Sequence, residues 1–429
     1  MLGNDLEGTK AYCNFFPNIP SFHITVMHFL SLHIFAWCIF ALFYLVQISP
    51  VDSLVEAADL SIMDGLPSST ATPSSIVHNA TSCVYPRITD FDTISWISFI
   101  TKVYMMPIIA VFGFIGNSIS FVVLSKEMKP TSTTVFLKAL AVADNAVLII
   151  YLLYFSFSSV YVFTGHFLSY YKLFERTQSF SWALLWFTKV ISVYVVVGVT
   201  VERFIAVCRP HRARAWCKIK NATITVGCIC LCSLLYNLPK CFLFETVLKH
   251  DPCLDEFVPV AVNSALGKNR YFNPIYTATL YSVLVFIIPL TTILVLNYQL
   301  IKAMKRGNRS GNRPRRRRAS NDAITKRVVA VCCVFTILEL PAVVMNVLEL
   351  SAFVEGLLNG QRLLQMLSKT ATGLLHLSYM FSTLSSCVNF YVYFLTGTAF
   401  RRTLMSMMFG PAYRIGTNIV PTPLLQTPI

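Results

Sequence analysis

Charge is what this chain has least of. Only 13% of its 429 residues are Asp, Glu, Lys or Arg, against 55% apolar and aromatic residues, and mean hydropathy is +0.61. A soluble globular domain does not carry that balance, so the chain reads as an integral membrane protein. At roughly 20 apolar residues per bilayer crossing, its length permits seven or eight spans with short loops and no large soluble domain besides. Any catalytic module would have to lie inside the membrane. No enzyme chemistry, metal cluster or cofactor motif is expected. Acidic residues are outnumbered 20 to 35 by Lys and Arg, for a net charge of +15. That excess would suit nucleic acid, but membrane proteins gather basic residues in cytoplasmic loops, so their placement decides. Internal repeats are also missing from the sequence.

Eight stretches are long and apolar enough to cross a bilayer. They run approximately over residues 24–46, 103–124, 139–163, 179–201, 222–238, 275–301, 328–348 and 372–395. Their continuous apolarity predicts helices, since barrel strands alternate over about ten residues. The first stretch, opened by Met27 and followed by Ser49 and Ser53, has the grammar of a leader. Residues 1–50 are therefore expected to be cleaved or bypassed by a true start at Met27, the alternative being an eighth helix.

Residues 51–98 carry the acids Asp52, Glu56, Asp59, Asp64, Asp90 and Asp92 and the glycosylation sequon Asn79-Ala80-Thr81. Placing this segment outside makes the loops after the first, third and fifth of the remaining seven helices cytoplasmic, together with the tail, 410–429. Those loops and the chain after the seventh helix hold 22 of the 35 Lys and Arg. Topological bias thus accounts for most of the basicity, and no nucleic-acid partner is required. The expectation is an all-α, multi-pass protein of the plasma membrane with an extracellular N-terminus, its bilayer-embedded bundle spanning 99–409.

Ionisable groups within such helices are costly and mark functional sites by default. Asp144 interrupts the second helix, where water or a small cation such as sodium, with Ser192, Ser385 and Asn389 nearby in depth, would keep it charged. Lys189 lies 14 residues above Arg203 on the third helix, and Glu339 lies 12 above Arg327 on the sixth. At 1.5 Å per residue these are rises of about 21 Å and about 18 Å, so the two opposite charges occupy nearly one level. A buried ion pair joining the two helices is expected; the alternative is two groups facing a wet cavity separately.

Glu202-Arg203-Phe204 closes the third helix. Gly116-Asn117 on the first, Leu140-Ala141-Val142-Ala143-Asp144 on the second, Pro289 on the fifth, Pro341 on the sixth and Asn389-Phe390-Tyr391-Val392-Tyr393 on the seventh follow in order. This set, with Phe400-Arg401-Arg402 as a short amphipathic eighth helix, resembles the rhodopsin-like (class A) G-protein-coupled receptors over about residues 99–409. Glu202 through Cys217, Tyr236 through Lys240, and Ser385 through Tyr393 are similar to the invertebrate FMRFamide-type neuropeptide receptors. A biogenic-amine receptor would have Asp where this chain has Leu185, and an opsin would have Lys in place of Thr383.

The resemblance implies an extracellular peptide ligand and a heterotrimeric G protein as partners. Glu202, Arg203, Phe204, Asn117, Pro289, Pro341, Asn389 and Tyr393 would serve coupling and activation, with Arg203 paired to its adjacent acid at rest. Trp186, Lys189, Glu339, Asn346, Glu349, His376, Tyr379 and Glu245 would line or border the ligand pocket. An amidated Arg-Phe peptide would seek a carboxylate among Glu245, Asp255, Glu256 and Glu349. Rival readings are an ion- or proton-coupled transporter using the buried charges and a non-signalling scaffold receptor; the lack of repeats argues against the former.

The chain departs from that family's pattern at several points. Glu339 replaces the sixth-helix Trp, no Trp marks the fourth helix, and Asn297 precedes Tyr298 where a Tyr is usual. Gln178 stands where the third-helix Cys would bridge to the second outer loop. Of 13 cysteines only Cys83 and Cys253 read as plainly extracellular, and a bridge between them would pin the N-terminal segment over the pocket; two free thiols are the alternative. Arg315 to Arg318 followed by Ala319-Ser320 resembles a basophilic kinase site, with a solvated basic loop as the other reading.

Overall fold

The computed structural model describes residues 93–126, 130–164, 166–251, 255–269, 272–309, 315–357 and 362–409. The leader, the sequon at Asn79, both members of the Cys83 and Cys253 bridge and the tail 410–429 lie outside these residues, as do the side chains of Ser320 and Glu349. Seven long helices follow one another: α1 over 93–125, α2 over 132–164, α3 at Leu168–Cys208, α4 over 219–242, α5 over 273–309, α6 at Arg315–Leu357 and α7 over 362–396. A shorter α8, Thr398–Met408, ends the described chain. By length and apolarity, six helices qualify as membrane crossings among the described residues, α1 through α6. α7 packs between α6, α1 and α2 and completes the ring.

Every helix is longer than its apolar run. α3 begins at Leu168, eleven residues before the run at Ser179, because its first turns are amphipathic. There Tyr171 stacks near Tyr161 of α2, centroids 4.6 Å apart, and Phe174 meets Tyr154 at 4.7 Å. Of the spanning windows, that of α3 is 83% buried, against 28–50% for the others, so it is the central pillar. Its run Val193, Val195, Val196, Val197 and Val199 is apolar all round, as a helix enclosed on every side requires. The outer helices turn residues such as Ile108, Phe112, Ile224 and Ile337 outward, which suits hydrocarbon.

Local chemistry sets the ends and irregularities. Thr131 and Thr134 form a reciprocal capping box that starts α2, with each backbone N–H donating to the other's hydroxyl. Wide π turns at Ile100–Met105 and Ser282–Ile287 precede Pro107 and Pro289, whose missing N–H groups break the regular ladder. A third, Tyr151–Phe157, is followed by Ser158 and Ser159, whose hydroxyls donate to the Tyr154 and Phe155 carbonyls. The basic connection after α3 contains a helical turn, Pro210–Trp216.

The connection from α4 to α5 is an element that hydropathy did not foresee. β1, Phe244–Asp251, pairs antiparallel with β2, Glu256–Asn263, in a register from Phe244 opposite Asn263 to Asp251 opposite Glu256. This hairpin lies at the end of the bundle away from Arg203. It is fastened to α3: Ser179 exchanges hydrogen bonds with both the N–H and the carbonyl of Phe244, and the Ala261 N–H donates to Glu175 Oε2 at 2.7 Å.

Candidate functional site

Three charged clusters are stacked through the bundle. At mid-depth, the Lys189 ammonium donates to Glu339 Oε1 at 2.6 Å, with both side chains about 97% buried. The ion pair expected between α3 and α6 is present. Ser385 of α7 donates to the same oxygen at 2.6 Å, so three helices meet at one carboxylate atom. Glu339 Oε2 finds no hydrogen-bond donor among the described residues. Removing one partner from such a buried pair costs about 3–5 kcal/mol, because the other charge is left uncompensated.

Beside it, Asp144 of α2 accepts from Ser192 Oγ at 2.7 Å and from Asn389 Nδ2 at 2.5 Å, which links α2, α3 and α7. Asn117 of α1 donates to the Ser386 carbonyl at 2.8 Å, and its own Oδ1 is left without a partner among the described residues. Ser385, expected from its depth to join this cluster, belongs instead to Glu339. The other three residues expected around the carboxylate, Asp144, Ser192 and Asn389, do come together.

At the basic end, Arg203 is held by its neighbour. Its Nε and a terminal nitrogen donate to the two oxygens of Glu202, each at 2.6 Å. Ser132 and Thr133 at the start of α2 donate to the same oxygens at 2.6 and 3.0 Å. Such charge-assisted, bidentate bonds are the strong ones. Phe204, the next residue, and Tyr393 of α7 are both buried, the Tyr393 ring 5.9 Å from Phe400 of α8. Pro341 lies inside α6, two residues beyond Glu339, where a helix can bend. Arg401 of α8 donates to the Phe394 and Leu395 carbonyls and caps the end of α7.

The pocket residues separate into two groups. Trp186, one turn from Lys189, packs edge-on against Trp182 and Tyr281, centroids 5.5 and 4.8 Å away. Tyr379 meets Phe155 at 4.9 Å, and His376 is buried, its Nδ1 without a hydrogen-bond partner among the described residues. Asn346, by contrast, turns back to the Ala342 carbonyl of its own helix. Glu245 sits on the hairpin and faces Lys268 at 3.9 Å, while Glu256 is bound to Lys172 at 2.5 Å and Asp255 faces His250. Glu349 is on α6, with its side chain outside the described residues.

Sequence reasoning missed Lys240. It lies at the hairpin end of α4, 1% exposed, under four aromatic rings: Trp186 at 4.8 Å, Tyr281 at 5.0 Å, Tyr236 at 5.6 Å and Tyr276 at 5.9 Å. A lysine ending an apolar run reads as an interfacial anchor, and the rings come from three helices far apart in the chain. The one available signal was the spacing of Tyr236 and Lys240, which places them on one helix face.

Residues 116–393, well over half of the chain, match the family described as 7 transmembrane receptor (rhodopsin family). The chain belongs to that family. The receptor's seven helices and its Glu202-Arg203 pair are thus elements of a known bundle, in which α7 is the seventh crossing. Over 307 residues the receptor is 29% identical to the FMRFamide receptor of Drosophila melanogaster, covering 71% of this chain and 53% of that protein. The receptor therefore matches about half the length of that relative. It is 27% identical over 316 residues to the FMRFamide peptide receptor frpr-18 of Caenorhabditis elegans, covering 70% and 67% of the two chains. To the Sex peptide receptor of Drosophila melanogaster it is 24% identical over 334 residues, 72% of each chain.

Proposed function

We propose that this receptor binds an extracellular neuropeptide of the FMRFamide-like, amidated Arg-Phe kind at the hairpin end and activates a heterotrimeric G protein at the basic end. The observation that carries this reading is the Lys189, Glu339 and Ser385 junction, which ties the third, sixth and seventh helices at the floor of the aromatic pocket. Glu339 keeps Oε2 open, and a peptide guanidinium that takes it competes with Lys189 for the carboxylate. Loosening that tie frees α6 to swing about Pro341 and shifts the population toward a conformation in which Arg203 leaves Glu202 for the G protein. The names of the relatives support the ligand class, and the density of Lys and Arg in the inner connections supports the orientation, with the N-terminus outside the plasma membrane. A small cation such as sodium fits the carboxylate of Asp144, with Ser192, Asn389 and the unpaired Asn117 oxygen as its surroundings; it would hold that cluster in the resting arrangement.

The test is expression in cells with a promiscuous G-protein reporter and challenge with amidated peptides, using Arg203→Ala as control. A response abolished in the control supports the reading. Silence of the wild type at confirmed surface expression, against a panel spanning amidated Arg-Phe peptides, would sink the ligand assignment.

A further inference from the structure

Lys240 is the buried cation that the proposed mechanism leaves unused. Its ammonium contributes three N–H donors, and among the described residues it meets only aromatic faces, with no hydrogen bond and no carboxylate. Two further donors of the same chamber are unspent: the Trp186 indole N–H and the Tyr281 hydroxyl are buried without a partner among those residues. The chamber adjoins the ion pair, since Trp186 lies one turn from Lys189 on α3 and its ring is 4.8 Å from that of Tyr281. Glu339 is already taken by Lys189 and Ser385, and Asp144 by Ser192 and Asn389, so neither carboxylate serves these donors. A buried cluster with several unspent N–H and O–H donors lacks one component, an acceptor.

Aromatic faces hold a desolvated ammonium in place without consuming its N–H bonds, so the cage orients Lys240 and leaves it able to donate. The indole and phenol beside it can hydrogen-bond a planar oxygen pair. The hairpin roof is close: Leu243, three residues beyond Lys240, accepts the Ser264 N–H, and Phe244 is fastened to Ser179.

We propose that Lys240, with the Trp186 N–H and the Tyr281 hydroxyl, forms a subsite for a carboxylate of the peptide ligand. The site rests on the reading of this protein as a peptide receptor and narrows it. The ligand must then carry an acid as well as the guanidinium that Glu339 takes. The carboxylate is either an Asp or Glu side chain upstream of the amidated Arg-Phe or, in place of the amide of the proposed ligand, a free C-terminus.

The experiment uses the full-length receptor in nanodiscs, as wild type, Lys240→Met, Lys240→Arg and Trp186→Phe. The probes are two matched sets of Arg-Phe peptides, one differing only in Asp against Asn before the Arg and the other in C-terminal acid against amide. Binding is read by displacement and by thermal shift, with signalling recorded in parallel. The wild type should prefer the acidic member of one set by about 30-fold or more, Lys240→Met should abolish that preference, and Lys240→Arg should retain most of it. Trp186→Phe keeps the ring and should reduce the preference in part, which covers the case in which Lys240→Met fails to fold. Which set shows the preference tells the side chain from the terminus. Equal binding of acid and neutral members, or a preference that survives in Lys240→Met, overturns the subsite, even where the peptides signal and the receptor reading stands. Acid-selective binding lost in Lys240→Met but without any G-protein response upholds the subsite and overturns the signalling reading. Absence of any binding overturns the subsite.

Discussion

The hydroxyl of Ser179 bonds Phe244 twice, accepting from its N–H at 2.9 Å and donating to its carbonyl at 2.8 Å. One side chain on α3 thereby fixes the first residue of the hairpin, one position after Gln178. Glu175, a turn earlier, holds β2 through Ala261. Two side chains of α3 thus hold one backbone position on each strand of the hairpin.

Ser179→Ala removes both bonds and leaves the half-buried Phe244 N–H unpaired, so it should lower stability by about 1 kcal/mol. Thermal unfolding of purified receptor measures this. An unchanged melting temperature in both Ser179→Ala and Glu175→Ala would show that the hairpin is held elsewhere.

Charge exchange tests the junction at mid-depth. Lys189→Glu and Glu339→Lys singly leave two like charges in a buried site and should each destabilise by at least about 3–5 kcal/mol, with loss of surface expression. The double exchange restores opposite charges at 2.6 Å and should recover a substantial part of the expression. Recovery no better than either single variant would remove the pair from the account.

Release of Arg203 should activate. Glu202→Gln keeps the shape but discards the charge that holds the guanidinium through two bonds of 2.6 Å. A hydrogen bond to a charged group contributes about 1.5–3 kcal/mol, so ligand-free nucleotide exchange should rise several-fold. Ser132→Ala, which loses one bond to the same carboxylate, should produce a smaller rise in the same assay.

Cys217 provides a pH measurement outside the membrane. Burial, reinforced by the Glu202 charge, pushes its thiol up to about 12. Because the thiolate is the reactive form, a raised value means a neutral, slow thiol at pH 7–8. Maleimide labelling should accelerate about tenfold per pH unit between 8 and 10 and should be faster at pH 8 in Glu202→Gln, where the opposing charge is gone. Labelling as fast as a small free thiol at pH 7.5 would contradict the burial.

Much of this architecture was legible before any coordinates. Continuous apolarity located the helices, since hydropathy reports directly on the medium a segment must occupy. Helical rise was enough to set Lys189 against Glu339, because both depths could be counted from the same basic end. Depth alone could not assign Ser385, which lies near two carboxylates on different azimuths and turns to Glu339. Nor could it find the amphipathic start of α3, whose Tyr171 and Phe174 pack while Glu175 and Ser179 hold strands. The hairpin was invisible for a related reason: β1 is half-buried only at Phe244, Val247 and Asp251, so it lacks the strict alternation that betrays a strand.

The seam between the first and seventh helices has a consequence for how the molecule is made. A methyl group on Gly113 would stand 2.9 Å from the Cys387 side chain and 2.7 Å from Leu148, and one on Gly116 would stand 2.9 Å from the Phe390 side chain. Helix α1 therefore reserves a groove for residues that leave the ribosome some 270 positions later. Until α7 is made, this glycine face, with the buried Asn117 and Ser120, lacks the residues that fill it. α7 thus fills the groove in α1, so a chain truncated before Cys387 should leave that groove empty even with six crossings in place.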